Sequence, residues 1–528
     1  MTRYYVTTSI PYVNGTPHLG HALEAVQADV LARYHRLRGD ETRFQTGTDD
    51  NALKNVQAAE AAGLPTQAFV DRNAAAFAAL RDPLALSFDD FIRTSGNPAH
   101  AAGAAKLWAL CLAQGDIAKR TYEGLYCVGC EQFYTEDELV DGLCPEHLRS
   151  PEPVAEENYF FRLSRYADRL HTLIASGALR IEPAGRRVEI LRFIAGGLRD
   201  FSISRSRTRA RGWGIPVPDD PEQVMYVWWD ALINYITALD FANDGPEYAR
   251  FWRDGGQRVH VIGKGIIRFH AVYWPAMLLS AGLPLPTTIY VHEYVTVNGQ
   301  KIGKSLGNAI DPTMLATRFG IDPLRYWLLR DVPPAEDGDF TLARLVGRTN
   351  SELANGLGNL LQRTLGMIAR WCGGIIPHGN GAAPPLHPIA ARLPAQIDVA
   401  LDRFDFRAAL AAIWELIGAA NRYVDDTAPW FLARGAAAGN EVAARDLDAV
   451  LGSLAETLRL LGHHLAPFLP DASARILAQL GDDGRDDHPG ATEWGTTLAG
   501  RTIRPAGPLF PRLELTEEEQ GDPQPTPL

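Results

Sequence analysis

The chain has 528 residues, 46% of them hydrophobic, and a formal net charge of -12. That length allows two to four domains with real cores and, with this hydrophobic content, excludes a disordered chain. The negative charge excludes a general nucleic-acid coat while leaving room for an RNA partner at a local basic patch, and five cysteines in so long a chain exclude a disulfide scaffold.

The N-terminus, "MTRYYVTTSIPYV", lacks the charged start and long apolar core of a signal peptide. No apolar run reaches the ~18 residues of a transmembrane helix, so a cytoplasmic protein with no membrane partner is expected. "YYVTTSI" (4–10) reads as a strand. From Leu19 the residues Leu23, Val26, Val30, Tyr34 and Leu37 recur at helical spacing as far as Gly39, and "TRFQTGTD" reads as the next strand. Strand, loop, helix and strand predict a parallel βαβ unit. "HVIGKGI" (260–266) and "TIYVHEYVTV" (288–297) read as further strands, with a helix around Phe269–Ala281 between them. The sheet is therefore split by an insertion running roughly from Gly115 to Gln223. Beyond Thr341, alanine- and leucine-rich stretches such as "ALAAIWELIGAANRYV" predict an all-α helical bundle, with residues 373–388 as a loop inside it. The tail "LTEEEQGDPQPTPL" reads as acidic and flexible. The expected fold is α/β, a Rossmann-type parallel sheet in two halves (1–115 and 224–297) around a connective insertion (116–223). A linker region (298–340), the helical domain (341–512) and the tail (513–528) follow.

Two stretches carry chemistry. "PYVNGTPHLGHALEAVQAD" (11–29) puts His18 and His21 on the first turn of a helix, just after the first strand. The amide groups and partial positive charge of a helix start suit phosphate. Gly15 and Gly20 would let a ligand approach the backbone, and two imidazoles would add donors for the charge that builds during phosphoryl displacement. Taken alone, a His-x-x-His pair is as readily a helix cap beside a surface residue. Its distant partner is "NGQKIGKSLGN" (298–308), where Lys301 and Lys304 stand three apart in a glycine-rich, mobile loop. Ammonium groups on such a loop can close over a triphosphate, although a lone K-x-x-K reads as a solvated basic turn. Taken together, His18-Leu19-Gly20-His21 and Lys301-Ile302-Gly303-Lys304-Ser305 resemble the HIGH and KMSKS signatures of class I aminoacyl-tRNA synthetases.

The resemblance sharpens to the methionyl-tRNA synthetase family. It runs from residue 5 to about 470 through "YHRLRG", "ENYFFRLSRY", "DFSISR", "WGIPVP", "MYVWWDALINY", "WPAML", "VTVNGQKIGKSLGN", "EDGDF", "ANGLGNL" and "YVDDTAPW". It implies activation of L-methionine by ATP with Mg2+ and transfer to the 3′ adenosine of tRNA(Met). His18, His21, Lys301 and Lys304 would be catalytic, and with Gly20 and Ser305 would bind ATP. The implied methionine pocket comprises Ile10, Tyr12, Asp49, Trp228, Tyr235, Ile266 and His270. Asp49 can pair with an α-ammonium group, and Trp228 and Tyr235 are polarizable walls for a thioether. His270 and Tyr12 can hydrogen-bond near the sulfur. Without the resemblance, Trp228, Trp229 and Tyr235 read as core aromatics.

"YCVGCEQFYTEDELVDGLCPEH" spaces Cys127-x2-Cys130 thirteen residues ahead of Cys144-x2-His147. Two such knuckles supply four ligands for tetrahedral Zn2+, one per chain, and leave no open coordination position, which predicts a structural metal. The family resemblance places an anticodon site on Asn359, Arg363 and Trp430. Asn359 and Arg363 share a helix face, and the trio offers the stacking and polar contacts that unpaired bases need. Trp430 as a buried bundle residue and Arg363 as a solvated charge are the alternatives. The arginine-rich stretch 186–211 either lines an acceptor-stem path or is solvated surface.

Four departures from the family pattern lie near the substrate site. Asp50-Asn51-Ala52 replace Glu, His and Gly, Gly265 replaces an acid, Leu232 replaces a smaller residue or proline, and Gly303 replaces serine. They motivate two further readings: a synthetase paralogue with an altered role, or a tRNA-binding protein without catalysis. Little chain follows the bundle, with no room for an appended dimerisation domain of ~100 residues, which predicts a monomer.

Overall fold

The computed structural model describes residues 2–127, 132–134, 136–145, 148–302, 308–378, 385–482, 492–495, 498–517 and 519. The chain forms two compact units. The first comprises Met1–Pro17, Glu41–Arg81 and Ser87–His292, and the second His18–Asp40, Asp82–Leu86 and Glu293–Leu528. The helix expected to complete the first βαβ unit, Leu19–Leu37, thus belongs to the second unit.

The first unit is built on a six-stranded sheet. Its spatial order is Asp90–Arg93, Glu41–Thr48, Arg3–Thr8, Gln257–Gly263, Thr288–His292 and Arg180–Glu182. Every pairing is parallel. Strands covered on both faces need continuous apolar or β-branched sequence, and "TIYVH" is buried at all five positions. The last strand is a surprise. Arg180–Glu182 lies inside the expected insertion, yet it pairs with Thr288–Tyr290 and becomes the sheet edge. Three residues are too short for a period-two pattern to register. The rest of the insertion makes two antiparallel sheets. One contains the long pair Ile117–Cys127 and Glu152–Phe161, and the other pairs Asp220–Met225 with Ser204–Ser206. The strand order reverses between Arg3–Thr8 and Gln257–Gly263, so their carboxyl ends open the crevice where ligands of such sheets sit.

The expected strand 288–297 breaks in two. Thr288–His292 stays in the parallel sheet, while Val295–Val297 joins a small sheet of the second unit with Gln300–Lys301 and Gly338–Asp339. The break falls where Tyr294 turns to Asp337 and Gly338, donating to the carboxylate of one and accepting from the amide of the other. The expected helix at Phe269–Ala281 begins with wide π-helical turns, Phe269–Tyr273, before the α-helix Trp274–Ser280.

The bundle of the second unit is as expected, with long helices at Asn359–Trp371, His387–Asp402, Phe406–Thr427 and Glu441–Leu465. Of the loop at 373–388, residues 379–384 lie outside the described residues. Among the described residues no helix is long and apolar enough to cross a membrane. A buried ion pair joins two helices of the unit. Asp29, on Leu19–Leu37, faces Arg325, on Ile321–Arg330, at 2.8 Å, and neither side chain touches solvent. Arg325 also donates to the carbonyls of Leu84, Pro467 and Phe468, and Asp29 also accepts from Arg33. Burying a charge is costly unless every donor is used, and here each guanidinium nitrogen has an acceptor. At the other end of the helix, Tyr34 and Arg38 both donate to Asp398. Replacing Arg325 by Met leaves a buried carboxylate and three carbonyls short of a donor. It is expected to cost about 3–5 kcal/mol, read as a fall in the denaturant midpoint.

Candidate active site

His18 caps the helix Leu19–Leu37, and the two histidines cap it jointly. The Gly20 amide donates to His18 Nδ1 at 3.1 Å, and the His18 amide donates to His21 Nδ1 at 3.0 Å. Each Nδ1 is an acceptor, so each neutral ring carries its proton on Nε2. The rings stack with centroids 3.8 Å apart, presenting two Nε2 donors side by side. The helix cap and the donor pair are therefore the same feature, not alternatives. Gly20 serves this geometry: a Cβ there would stand 3.0 Å from His18 Cε1. The expectation of open backbone amides at this turn is corrected, because the Leu19 amide donates to the Ile310 carbonyl at 3.0 Å and the Gly20 amide to His18. An anion here would meet imidazole N–H groups first.

The Leu19–Ile310 bond also fixes where the lysine segment ends. Lys301 lies on the short strand Gln300–Lys301, paired with Val295–Val297 across an Asn298-Gly299 turn with φ of 53° and 71°. Positive φ at both residues makes the tight hairpin turn that Asn-Gly favours. Lys301 thus stands at the end of a hairpin, with its ammonium group 4.2 Å from the Tyr294 ring centroid. Asn308 donates to the Lys301 carbonyl at 3.2 Å, closing the loop at its base. Gly303, Lys304 and Ser305 lie outside the described residues.

In the first unit, most of the predicted amino-acid pocket gathers at the sheet crevice. Tyr12 and Asp49 continue the strands Arg3–Thr8 and Glu41–Thr48 and form a parallel bridge. Asp49 is buried and accepts from the Asn51 amide at 3.1 Å. Tyr12 meets Trp228 edge to face at 6.2 Å, and Trp228 lies edge-on to His270 at 6.3 Å. Tyr235 donates to His270 Nε2 at 2.6 Å, and His270 Nδ1 donates to the Ile266 carbonyl at 2.9 Å. Burial pushes the His270 pKa down to about 4, so the ring is neutral. Both its nitrogens are engaged, which corrects the expectation that His270 itself donates toward a thioether. Its part is to hold Tyr235. Ile10 stands half-buried two residues before Tyr12.

Sequence reasoning missed Phe269, whose ring stacks on Trp228 at 3.8 Å. An aromatic beside His270 on the same turn was the available signal. It also missed the support under Asp49. Asn51 donates to Asp230 at 2.6 Å, Asp230 faces His100 at 2.6 Å, and Asn55 donates to the Asp49 carbonyl at 3.0 Å. The departures at 50–52 are thus internally matched. Asp50 is buried against Arg93 at 2.7 Å and Ser95 at 2.6 Å, and Ala52 opens the helix Leu53–Ala61. Leu232 is core, and Gly265 sits exposed in the short helical turn Lys264–Ile266. Trp229 remains a core residue, edge to face with Trp108.

Cys127 and Cys144 are buried in one small cluster with Tyr134 and Leu139, and Cys144 Sγ lies 3.5 Å from the Tyr134 hydroxyl. Cys130 and His147 lie outside the described residues. In the helical unit, Asn359 is exposed, and Arg363 pairs with Asp425 at 2.8 Å. Trp430 is 37% exposed beside the still more exposed Phe431, so the buried-core alternative for it fails.

The chain matches the family described as tRNA synthetases class I (M) over residues 4–151 and 147–365. It matches the anticodon binding domain of methionyl tRNA ligase over residues 377–522. It is 41% identical over 537 residues to the methionine–tRNA ligase of a Synechocystis species, covering 98% of each chain. With the methionine–tRNA ligase of Brucella suis the identity is 42% over 525 residues, covering 98% of this chain and 99% of the other. The solved structure of Mycobacterium tuberculosis methionyl-tRNA synthetase in complex with methionyl-adenylate superposes with a TM-score of 0.92 at 40% identity. The superposition covers 97% of this chain and 100% of that one.

The burial of His270 has a pH signature. Its folded pKa is depressed to about 4 against ~6.5 unfolded, so the unfolded chain binds the extra proton between those values. The associated stability is complete above pH ~6.5 and is lost as pH falls toward 4, by up to about 3 kcal/mol. Urea midpoints measured across that window should fall less steeply in His270→Gln than in the parent chain.

Proposed function

The chain belongs to the methionyl-tRNA synthetase family of class I, and from that membership we infer how its residues divide the reaction. The enzyme ligates methionine to tRNA at the expense of ATP. The methionine carboxylate attacks the α-phosphorus of ATP in line, methionyl-adenylate forms and pyrophosphate leaves. A ribose hydroxyl of the tRNA 3′ adenosine then attacks the acyl carbon and AMP leaves. The observation that carries the division of labour is the bond from Leu19 to Ile310, which joins the histidine turn to the end of the lysine segment. Donors at both places serve one polyphosphate.

In this proposal the His18 and His21 Nε2–H groups stabilise charge on the reacting phosphate, and Lys301 and Lys304, with Ser305, accompany the pyrophosphate. Mg2+ enters with ATP. Asp49 receives the methionine ammonium group, with Asn51 and Asn55 fixing its orientation. The walls formed by Tyr12, Trp228, Phe269 and Tyr235, with Ile10 and Ile266 nearby, enclose the thioether by dispersion. Asn359, Arg363 and Trp430 contact the anticodon, the exposure of Trp430 supporting that role. A monomer acting in the cytoplasm is proposed, since one chain supplies residues for methionine, ATP and tRNA. The matched network around Asp50 and Asn51 supports a working synthetase over a catalytically silent tRNA binder.

A structural Zn2+ is part of the same proposal. Cys127 and Cys144 are buried together without a disulfide, as a thiolate site requires, and Cys130 and His147 would complete it. The metal would supply cross-linking of the knuckle and no chemistry.

Two experiments follow from these roles. Methionine-dependent exchange of pyrophosphate into ATP should be present, and Trp430→Ala should retain it while losing at least tenfold in kcat/KM for tRNA charging. Equal loss in both assays would remove Trp430 from the RNA contact. Metal analysis of protein prepared without chelator should find about one zinc per chain, falling to none in Cys144→Ser.

A further inference from the structure

Asp230 is a carboxylate for which the proposed reaction has no use. It is fully buried, on the short helix Val227–Leu232 that also carries Trp228. An ionised carboxylate in such a place is costly unless its oxygens have donors. Here both do. Oδ2 accepts from Asn51 Nδ2 at 2.6 Å, and Oδ1 accepts from His100 Nε2 at 2.6 Å. His100 is itself fully buried, and its Nδ1 meets the Thr237 hydroxyl at 2.7 Å. On the other side, the Asn51 backbone amide donates to Asp49 Oδ1 at 3.1 Å. Thr237, His100, Asp230, Asn51 and Asp49 thus form one hydrogen-bonded series. We propose that Asp230 and His100 are positioning residues for methionine, acting through Asn51 to aim the Asp49 carboxylate at the ammonium group. The proposal rests on Asp49 as the ammonium acceptor and goes beyond it to what directs that group.

Three observations support direction over mere adhesion. First, the partners are oriented by their chemistry. A carboxylate only accepts, so Asp230 turns the Nδ2 end of Asn51 and the protonated Nε2 of His100 toward itself. With its side chain tied, Asn51 keeps its own backbone N–H on Asp49. Second, the place of His100 is built for reach. It lies in the first turn of the helix Pro98–Ala113, where the Asn97 side chain caps the Ala99 and His100 amides at 3.1 and 3.2 Å. This helix packs so closely that a Cβ at Gly103 would stand 2.4 Å from Thr237 Cγ2. The glycine lets one imidazole touch both Thr237 and Asp230. Third, apolar residues of similar volume often replace a buried ionic pair without loss of stability, so packing alone does not call for this one. Asn51 is also a residue by which this chain departs from the family pattern, so the link is of its own construction. The competing role is a general brace. His100 joins the short helices Val227–Leu232 and Asn234–Thr237, which carry Trp228 and Tyr235 of the thioether walls. A brace would serve the whole pocket, whereas the series to Asp49 serves only its ammonium end.

The test follows methionine-dependent pyrophosphate exchange in the full-length enzyme. Its competitive inhibitor is γ-methylsulfanylbutyrate, which is methionine without the ammonium group. The parent should bind methionine at least about tenfold more tightly than this analogue. Asp230→Asn should raise KM for methionine about tenfold, while kcat, KM for ATP and the inhibition constant of the analogue stay within about twofold. His100→Ala should show the same selective rise. His100→Gln, whose side-chain N–H can reach Asp230, should recover most of it. Asn51→Ala should reproduce the rise, and Asp230→Asn should add nothing further in that background. The proposal is overturned if methionine and the analogue weaken together, which would mark a brace of the whole pocket. It is equally overturned if the Asn51 and Asp230 effects add, or if KM for methionine does not move. Should Asp230→Asn fail to fold, the His100 and Asn51 variants decide the same question. An analogue bound by the parent as tightly as methionine would instead refute the ammonium role of Asp49, and absence of exchange in the parent would refute the synthetase reading.

Discussion

The two imidazoles of the histidine turn are held by the backbone they cap, and the proposed phosphate chemistry depends on that arrangement. A helix start leaves amides unpaired. Here the Gly20 and His18 amides are satisfied by imidazole nitrogens, which fixes both tautomers. The protons are thereby directed to the outer nitrogens. An ionised aspartate cap would accept from an amide of this turn and offer no donor. The Leu19 amide is spent on Ile310, so the capped turn and the end of the lysine segment hold a common position.

The same logic of occupied hydrogen-bonding groups shapes the amino-acid pocket. His270 gives one nitrogen to Ile266 and the other to Tyr235, and burial keeps it uncharged. A cationic imidazole would attract water and favour polar competitors. A neutral ring with both nitrogens engaged gives a thioether an apolar environment, in which polarizable surfaces decide affinity. Asp49 is buried, its carboxylate accepting from the Asn51 amide and its backbone carbonyl from the Asn55 side chain.

Much of this was legible in the residues. The strands Arg3–Thr8 and Glu41–Thr48 announce themselves by β-branched and aromatic content, and the bundle by its helical period. The edge strand Arg180–Glu182 did not, because only the neighbouring strand tells three residues what to be. The wide turns at Phe269–Tyr273 share the apolar spacing of an ordinary helix, which barely separates the two, yet they set where Phe269 and His270 point. The departures at Asp50 and Asn51 looked like losses. Their partners, Arg93 and Asp230, lie 43 and 179 residues away in sequence, so no local reading could match them.

The clamp at Asp29 has a mechanical meaning. A straight helix of 19 residues spans roughly 28 Å. This one bears the imidazoles at its start, is gripped in its middle by a buried guanidinium, and is tethered at its far end to Asp398 on a bundle helix. Held at its start, middle and far end within one unit, the helix ties the imidazole pair to the same framework as the bundle helix that carries Asp398.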